Sequence, residues 1–540
     1  MARKKSVHIL VGLNFLAVLI FILLSTPNLK AQGLYYDEAH QATASFAYIG
    51  RPAYQWTTLT ISGIPVLNMS YSGAIKSAIY GLQMKILSRP FSVKSWRLLG
   101  IAFVSFGLLL FGWITRQSLS WKNALIFYGL FLSDTTLLLT TRHDWGPTAL
   151  ALALRLILIA TILQDQERSQ PRLRTMFLIG LLIGFSTFEK LNNFLLLIPV
   201  LLIFFTNAAC RKNPRQWLAL MIGGVTGGLP LLLANIYTLI KNGQFISLAF
   251  TPNAHVITAQ SFVDFIYNFL ALGSGNQARS FILGSATPSL SSAEATVMVA
   301  TLLISSVWVI QRWKASSQAR VAGVLLGGYF LIGICLPALP MTTWIHHWVM
   351  ATPFQYAAIA LAIPAIFSDH QIPSPTKLFT QKTIITLLIL LFSVIRFTGL
   401  IKTEASLIHG DYSNKWNPSL TEAAQFAADH RSGSIFISAN WGIAAQIFCI
   451  SNGNGNDFYI PIWQINNMDS LQEIFTNSPK NIAYIYFYTP NGSISNDQQL
   501  VLNQLISSLN FSWRLQPVEE TIGQLNNIKI IKLVNITEHP

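Results

Sequence analysis

Eleven apolar runs decide what this chain can become. They cover about residues 7–25, 98–115, 123–140, 148–164, 176–189, 191–206, 217–240, 295–311, 320–337, 348–367 and 383–400. Each meets or approaches the roughly 20 residues an α-helix needs to cross a hydrocarbon core. Backbone immersed in lipid has to satisfy its own N–H and C=O groups, so such runs fold as spanning helices. Of 540 residues, 52% are hydrophobic and only 11% charged, against about a quarter charged in an average soluble domain. That excludes a soluble enzyme, a disordered chain and a nucleic-acid binder, in spite of a formal net charge of +15. The fold class expected is a polytopic α-helical membrane protein with about 11 transmembrane helices. The runs at 176–189 and 191–206 are short and share the break Glu189-Lys190-Leu191-Asn192-Asn193. No A-x-A-like cleavage site closes the first run, which therefore reads as an uncleaved span and not a signal peptide.

Charge is unevenly placed. Residues 1–400 hold 29 Lys+Arg against 10 Asp+Glu, whereas residues 401–540 hold 7 against 11. With Arg3, Lys4 and Lys5 in the cytoplasm, basic clusters fall on the cytoplasmic side after every second crossing, at Arg116/Lys122, Arg168/Arg172/Arg174, Arg211/Lys212/Arg215, Arg312/Lys314/Arg320 and Lys377/Lys382. This is the pattern of the positive-inside rule. The outer loop at 26–97 is also basic, but long loops weigh little in that rule. The N-terminus is thus expected inside and residues 402–540 outside. Two domains follow: a membrane module over 1–401, with its long first outer loop, and a small extracytoplasmic α/β domain over 402–540. In that tail, helical patterns at 419–430, 441–450 and 498–509 alternate with strand patterns at 434–438, 481–488 and 527–533, as in a layered α/β unit. The three cysteines, Cys210, Cys335 and Cys449, lie far apart without CxxC spacing and support neither a metal cage nor a disulfide framework. Asn68, Asn491, Asn510 and Asn535 head N-x-S/T triplets, which arise often by chance.

The same orientation places most of the scarce acids at the outer surface. Asp37 and Glu38 stand in Tyr35-Tyr36-Asp37-Glu38-Ala39-His40-Gln41-Ala42, expected to form a short interfacial helix. Adjacent carboxylates on a helix point about 100° apart, so the pair can divide its roles or be simply the solvated start of a helix. A second cluster is Thr140-Thr141-Arg142-His143-Asp144-Trp145-Gly146-Pro147, a tight turn between spans that holds Arg, His and Asp beside an aromatic ring. Asp134 and Arg155 flank that turn, and on straight antiparallel helices both sit roughly 10–12 Å below it. A charge in the bilayer is costly unless paired, so an Asp134–Arg155 structural ion pair is predicted. Lys190 occupies the next outward turn, and His346-His347 marks a further one where metal or phosphate could bind. Lys76, in Tyr71-Ser72-Gly73-Ala74-Ile75-Lys76, is another basic group expected on this face, in contact with a ligand phosphate or with lipid headgroups.

Taken in order, these strings resemble the GT-C superfamily of glycosyltransferases, in its protein O-mannosyltransferase-like and lipid A aminoarabinose transferase-like branch (glycosyltransferase family 39-like). The resemblance rests on Tyr36-Asp37-Glu38, Ser70 to Lys76, Ser133-Asp134, Arg142 to Pro147, Glu189-Lys190-Leu191-Asn192 and His346-His347, and covers residues 5–400. Position 189 departs from the family, where Asp precedes the Lys. The resemblance implies a multi-pass protein of the bacterial plasma membrane that moves a sugar from a polyprenyl-phosphate donor to a hydroxyl or amine of a lipid, glycan or protein acceptor, with inversion. Asp37 would be the catalytic carboxylate, with Glu38 as helper or alternative. Lys76, Arg142, Lys190, His346 and His347 would meet the donor phosphate. Some members of the family use a divalent metal (Mg, Mn or Zn), for which Asp144 and His346 would be the ligands; Asp144 could instead orient His143. Two competing readings are an outer-face polysaccharide ligase or polymerase, which does not require the Asp37-Glu38 dyad, and a secondary transporter, which calls for repeated halves that this sequence does not display.

Overall fold

The computed structural model describes residues 2–51, 57–165, 172–248, 259–339, 344–368, 375–438, 443–454, 459–461, 482–488, 513–516 and 528–535, with single positions at 496, 500, 503 and 507. They form two compact units. One comprises Met1–Asn28, Met69–Gly73 and Arg97–His409; the other comprises Leu29–Asn68, Ala74–Trp96 and Gly410–Pro540.

The first unit is a bundle of apolar helices. Every one of the eleven runs falls on helix, and among the described residues six helices are long and apolar enough to span a bilayer, or seven if one bent pair counts as a single span. Three shorter apolar helices accompany them at Ala149–Gln164, Leu191–Thr206 and Thr352–Phe367. The chain is a multi-pass integral membrane protein.

Glycine sets the closest packing. An added Cβ on Gly180 or Gly184 of the Leu173–Glu189 helix would strike the backbone carbonyl of Leu220 or Gly224. From the facing Pro214–Asn242 helix, Gly223 and Gly227 would strike the carbonyls of Phe177 and Leu181 in return. Small residues four apart on both partners let two backbones touch, which is how helices attract where lipid removes the hydrophobic drive.

The bent pair is Trp121–Leu132 followed by Thr135–Arg142, at 63° to each other. Asp134 makes the break: its extended backbone leaves the first helix, and its carboxylate caps the second by accepting from the Leu137 N–H at 2.8 Å. The bend overturns the predicted Asp134–Arg155 pair, because the stretch above Asp134 does not continue the span on which the depth estimate relied. Asp134 instead accepts from the Tyr356 hydroxyl at 2.6 Å and lies 3.9 Å from Arg396 Nη1. Arg155 is buried, with Nε and Nη1 lacking a hydrogen-bond partner.

In the second unit the outer loop and the tail fold together. Gly33 N–H donates to the Trp416 carbonyl at 2.7 Å, Tyr35 stacks on Trp416 at 4.5 Å, and Gln446 reaches the Leu34 carbonyl. Phe46 meets Phe448 edge to face at 5.2 Å, and Phe91 N–H donates to Asn452. The tail carries helices at Ser419–Asp429 and Ile443–Ile450 and a five-stranded sheet. Its strands run in the order Tyr459–Pro461, Ser434–Ser438, Ile482–Tyr488, Ile528–Asn535, Trp513–Gln516. The first three are parallel and the last two antiparallel to their neighbours. The helix expected over 498–509 lies largely outside the described residues, as do Asn491 and Asn510. Asn68 is buried and donates to Ser77 at 3.1 Å, so the folded chain offers no glycan acceptor there.

Candidate active site

In the second unit, the expected interfacial helix is Tyr36–Thr43. The acidic dyad divides as its geometry dictates. Glu38 is fully buried and turns back to accept from the Tyr35 N–H at 3.3 Å, the carboxylate half of a capping box. Asp37, one residue earlier, is only half-buried. Burial, with the Asp37 charge second, pushes the Tyr35 phenol well above its ordinary range, so Tyr35 stays protonated.

Below the dyad a polar chain holds the helix. The Tyr36 hydroxyl donates to His40 Nδ1 at 2.6 Å, and His40 Nε2 donates to the Asn68 carbonyl at 3.2 Å. The Asn68 carbonyl can only accept, so His40 carries a proton on Nε2. Ser77 donates to the Gln41 carbonyl, and the Gln41 amide donates to the Asp37 carbonyl at 3.0 Å. Lys76, at the start of the Ile75–Leu87 helix, is buried with its ammonium 3.9 Å over the Trp96 ring, a cation–π contact that keeps the charge in a dry place.

The first unit gathers the other candidates around the turn after the Thr135–Arg142 helix. Arg142 is buried and spends Nη1 on the carbonyls of Ser25 and Pro27 and Nη2 on that of Asn28. It closes the C-terminal end of the first span, where orphan carbonyls need donors. His143 donates Nδ1–H to the Leu139 carbonyl at 2.9 Å; burial first, then Arg97 and Arg142, holds its pKa well below the ordinary histidine value. Asp144 Oδ1 accepts from the N–H groups of Thr148 and Ala149 at 2.9 and 2.8 Å, at the mouth of the Ala149–Gln164 helix.

Lys190 and the histidine pair converge on Gly146. Lys190 donates Nζ–H to the Gly146 carbonyl at 2.5 Å. Gly146 has φ +67°, and a Cβ there would collide with the His346 ring, so only glycine serves on both counts. Trp145 stacks flat on Phe281 at 4.1 Å and tilts against His346 at 4.8 Å, and the two histidine rings lie 4.1 Å apart. His347 Nδ1 accepts from the Trp344 N–H at 3.0 Å. Burial drives the pKa of both rings well below 6.5; His347 and Lys190 add to it for His346, and Lys190 for His347. Both are neutral hydrogen-bonding groups near pH 7, and Lys190 is the cation among them.

Asp144 Oδ1 is committed to two backbone amides, and among the described residues no three His, Cys, Asp or Glu side chains come together as a ligand set. Sequence reasoning passed over Phe281, the stacking partner of Trp145, and Arg279, buried on the same Asn276–Leu283 helix and donating to Ser285 at 3.0 Å. An Arg beside a Gly-flanked turn was the available signal for the second; nothing local marked the first.

No protein-family model and no curated protein sequence matches this chain. Solved structures do. ArnT from Cupriavidus metallidurans in its apo state superposes with a TM-score of 0.59 over 98% of this chain and 98% of that one, at 11% identity. The same enzyme bound to undecaprenyl phosphate superposes with a TM-score of 0.59 over 96% and 98%, again at 11% identity. At that identity the likeness is one of fold alone: the chain has the fold of these ArnT structures.

Proposed function

We propose that this chain is a membrane glycosyltransferase that moves a sugar from a polyprenyl-phosphate donor to a hydroxyl or amine on an acceptor at the outer face of the membrane. The observation that carries the reading is the end-to-end likeness of fold to ArnT, one of whose structures holds undecaprenyl phosphate. Asp37 is the general base. It is the half-buried member of the dyad, while Glu38 is consumed in capping and serves to hold the helix that presents Asp37. In the reaction Asp37 takes the acceptor proton, the acceptor oxygen or nitrogen bonds to the anomeric carbon, and the carbon–oxygen bond to phosphate breaks on the opposite face with inversion.

The departing polyprenyl phosphate gains negative charge, which preorganised donors stabilise without reorganisation. Lys190 and Lys76 supply charge, and neutral His346 and His347 supply N–H donors. Arg142, whose guanidinium grips the end of the first span, acts by fixing that end. The N-terminus lies in the cytoplasm, and the acceptor is a lipid, glycan or protein.

The test is mass spectrometry of the lipid pool after incubating the purified full chain with a polyprenyl-phosphate sugar and an envelope extract. Release of free polyprenyl phosphate with transfer of the sugar is expected, and Lys190→Ala should slow it by roughly 100-fold, as for loss of one oxyanion-stabilising donor. An intact donor after incubation with folded, monodisperse protein removes the reading.

A further inference from the structure

We propose that a buried four-residue cluster in the membrane, Asp134, Glu294, Tyr356 and Arg396, is a positioning device that locks two arms of the outer-face cluster into one register. The proposal rests on the function above for its consequence, but its geometry stands by itself. Arg396, on the long Pro375–His409 helix, places Nε 2.5 Å from Glu294 and Nη1 3.9 Å from Asp134, and donates Nη2–H to the Tyr356 hydroxyl at 2.8 Å. Tyr356 in turn donates to Asp134 at 2.6 Å. The four side chains come from four separate stretches of chain and are all but inaccessible. In so dry a place a charge without its partner is expensive, so the cluster forms as a whole or not at all.

Two arms leave this point. Asp134 caps the Thr135–Arg142 helix, whose far end is the turn bearing His143, Asp144 and Trp145. The second arm is the 272–274 turn. An added Cβ on Gly273 would run into the Arg396 guanidinium, one on Gly275 into Thr135, and the Thr136 hydroxyl donates to the Leu272 carbonyl. That turn leads directly into the Asn276–Leu283 helix, which carries Arg279 and Phe281. The arms meet again at the other end, where Phe281 lies flat on Trp145. The loop is therefore closed twice, by ions within the membrane and by stacked rings beside His346. Loosening the inner closure lets the stacked pair slide and misplaces the Gly146–Lys190–His346 contacts.

The experiment compares Tyr356→Phe and Glu294→Gln with the wild-type chain in lipid nanodiscs. Ser393→Ala, whose hydroxyl donates to the Ile389 carbonyl one turn back on its own helix, is the control. Hydrogen exchange should rise at least about tenfold in 135–148 and in 272–283 together, as for loss of about one tenfold step in local stability, with the other spans and the control unchanged. Turnover per folded molecule should fall about tenfold while the KM for the lipid donor stays within about threefold, since misplacement costs rate before binding. Exchange unchanged in either arm, or rising evenly through all spans, overturns the proposal. Unchanged turnover alongside loosened arms also overturns it. A wild-type chain that transfers no sugar sinks only the functional reading, and the exchange result decides the linkage of the arms alone.

Discussion

Two pairs of carboxylates on this chain stand in different sequence settings and meet different fates in the structure. Asp134 and Glu294, both at apolar runs, are enclosed and taken up by Arg396 and Tyr356. Asp37 and Glu38, adjacent in a polar loop, differ from each other: Glu38 is buried in a capping box and Asp37 is half-buried. Isolation in a hydrophobic sequence therefore marks a structural charge here, and the chemistry proposed above is assigned to the half-buried acid of the polar loop.

The sharpest way to break that comparison is at Arg396. Removing one partner of a buried ion cluster leaves an uncompensated charge, so Arg396→Met should cost roughly 3–5 kcal/mol and yield little folded protein in a detergent thermal-shift assay. A variant as stable as wild type would show that the cluster is not the anchor described. Somewhat smaller is the effect of Gly184→Val. Its new side chain meets the Gly224 carbonyl with no rotamer to escape into, and a loss of about 1–3 kcal/mol is expected in the same assay, with the Leu173–Glu189 helix as the first segment to open to exchange.

The pH response sharpens the contrast from the side of the bases. His346 and His347 have folded-state pKa values below the ordinary 6.5. Above about 6.5 both folded and unfolded chains keep them neutral and nothing is lost. As pH falls below that value the unfolded chain takes up protons that the folded one refuses, so stability should decline by up to roughly 1.4 kcal/mol per pH unit per ring, until the buried rings are forced to protonate. Thermal midpoints from pH 7.5 to 5 measure this, and His346→Gln should flatten the slope; a slope that does not change would place the titration elsewhere. The smallest effect belongs to Glu38→Ala, which removes half a capping box and should cost about 1 kcal/mol.

Much of this architecture was legible, and for a physical reason: lipid forces a backbone to be helical wherever a run is long and apolar, so all eleven runs are mainly helical, the run at 123–140 breaking at Asp134. The tail elements at 434–438 and 482–488 likewise follow from local alternation. What failed were statements that depended on geometry between elements. Straight helices place the partner of Asp134 on the neighbouring span, and the capping carboxylate of Asp134 itself makes the bend that defeats that expectation. An Arg at 396 within an apolar run was the missed signal, since such a residue demands a partner. The grip of Ile443–Ile450 on the loop after Leu34 joins positions about four hundred residues apart, beyond any local pattern. Similarly, the hydrogen bonds of Arg142 to the carbonyls of Ser25, Pro27 and Asn28 join positions more than a hundred residues apart, which no local pattern announces.

A side-by-side assay of Asp37→Asn and Glu38→Gln decides how labour is divided within the dyad. Each variant is purified, checked for fold, and given a radiolabelled polyprenyl-phosphate sugar with its acceptor. Turnover by Asp37→Asn should fall by about 1,000-fold, within the range a general base contributes, with donor binding intact, while Glu38→Gln should keep most of its rate per folded molecule. Full turnover by Asp37→Asn, or its loss in Glu38→Gln alone, would contradict the account.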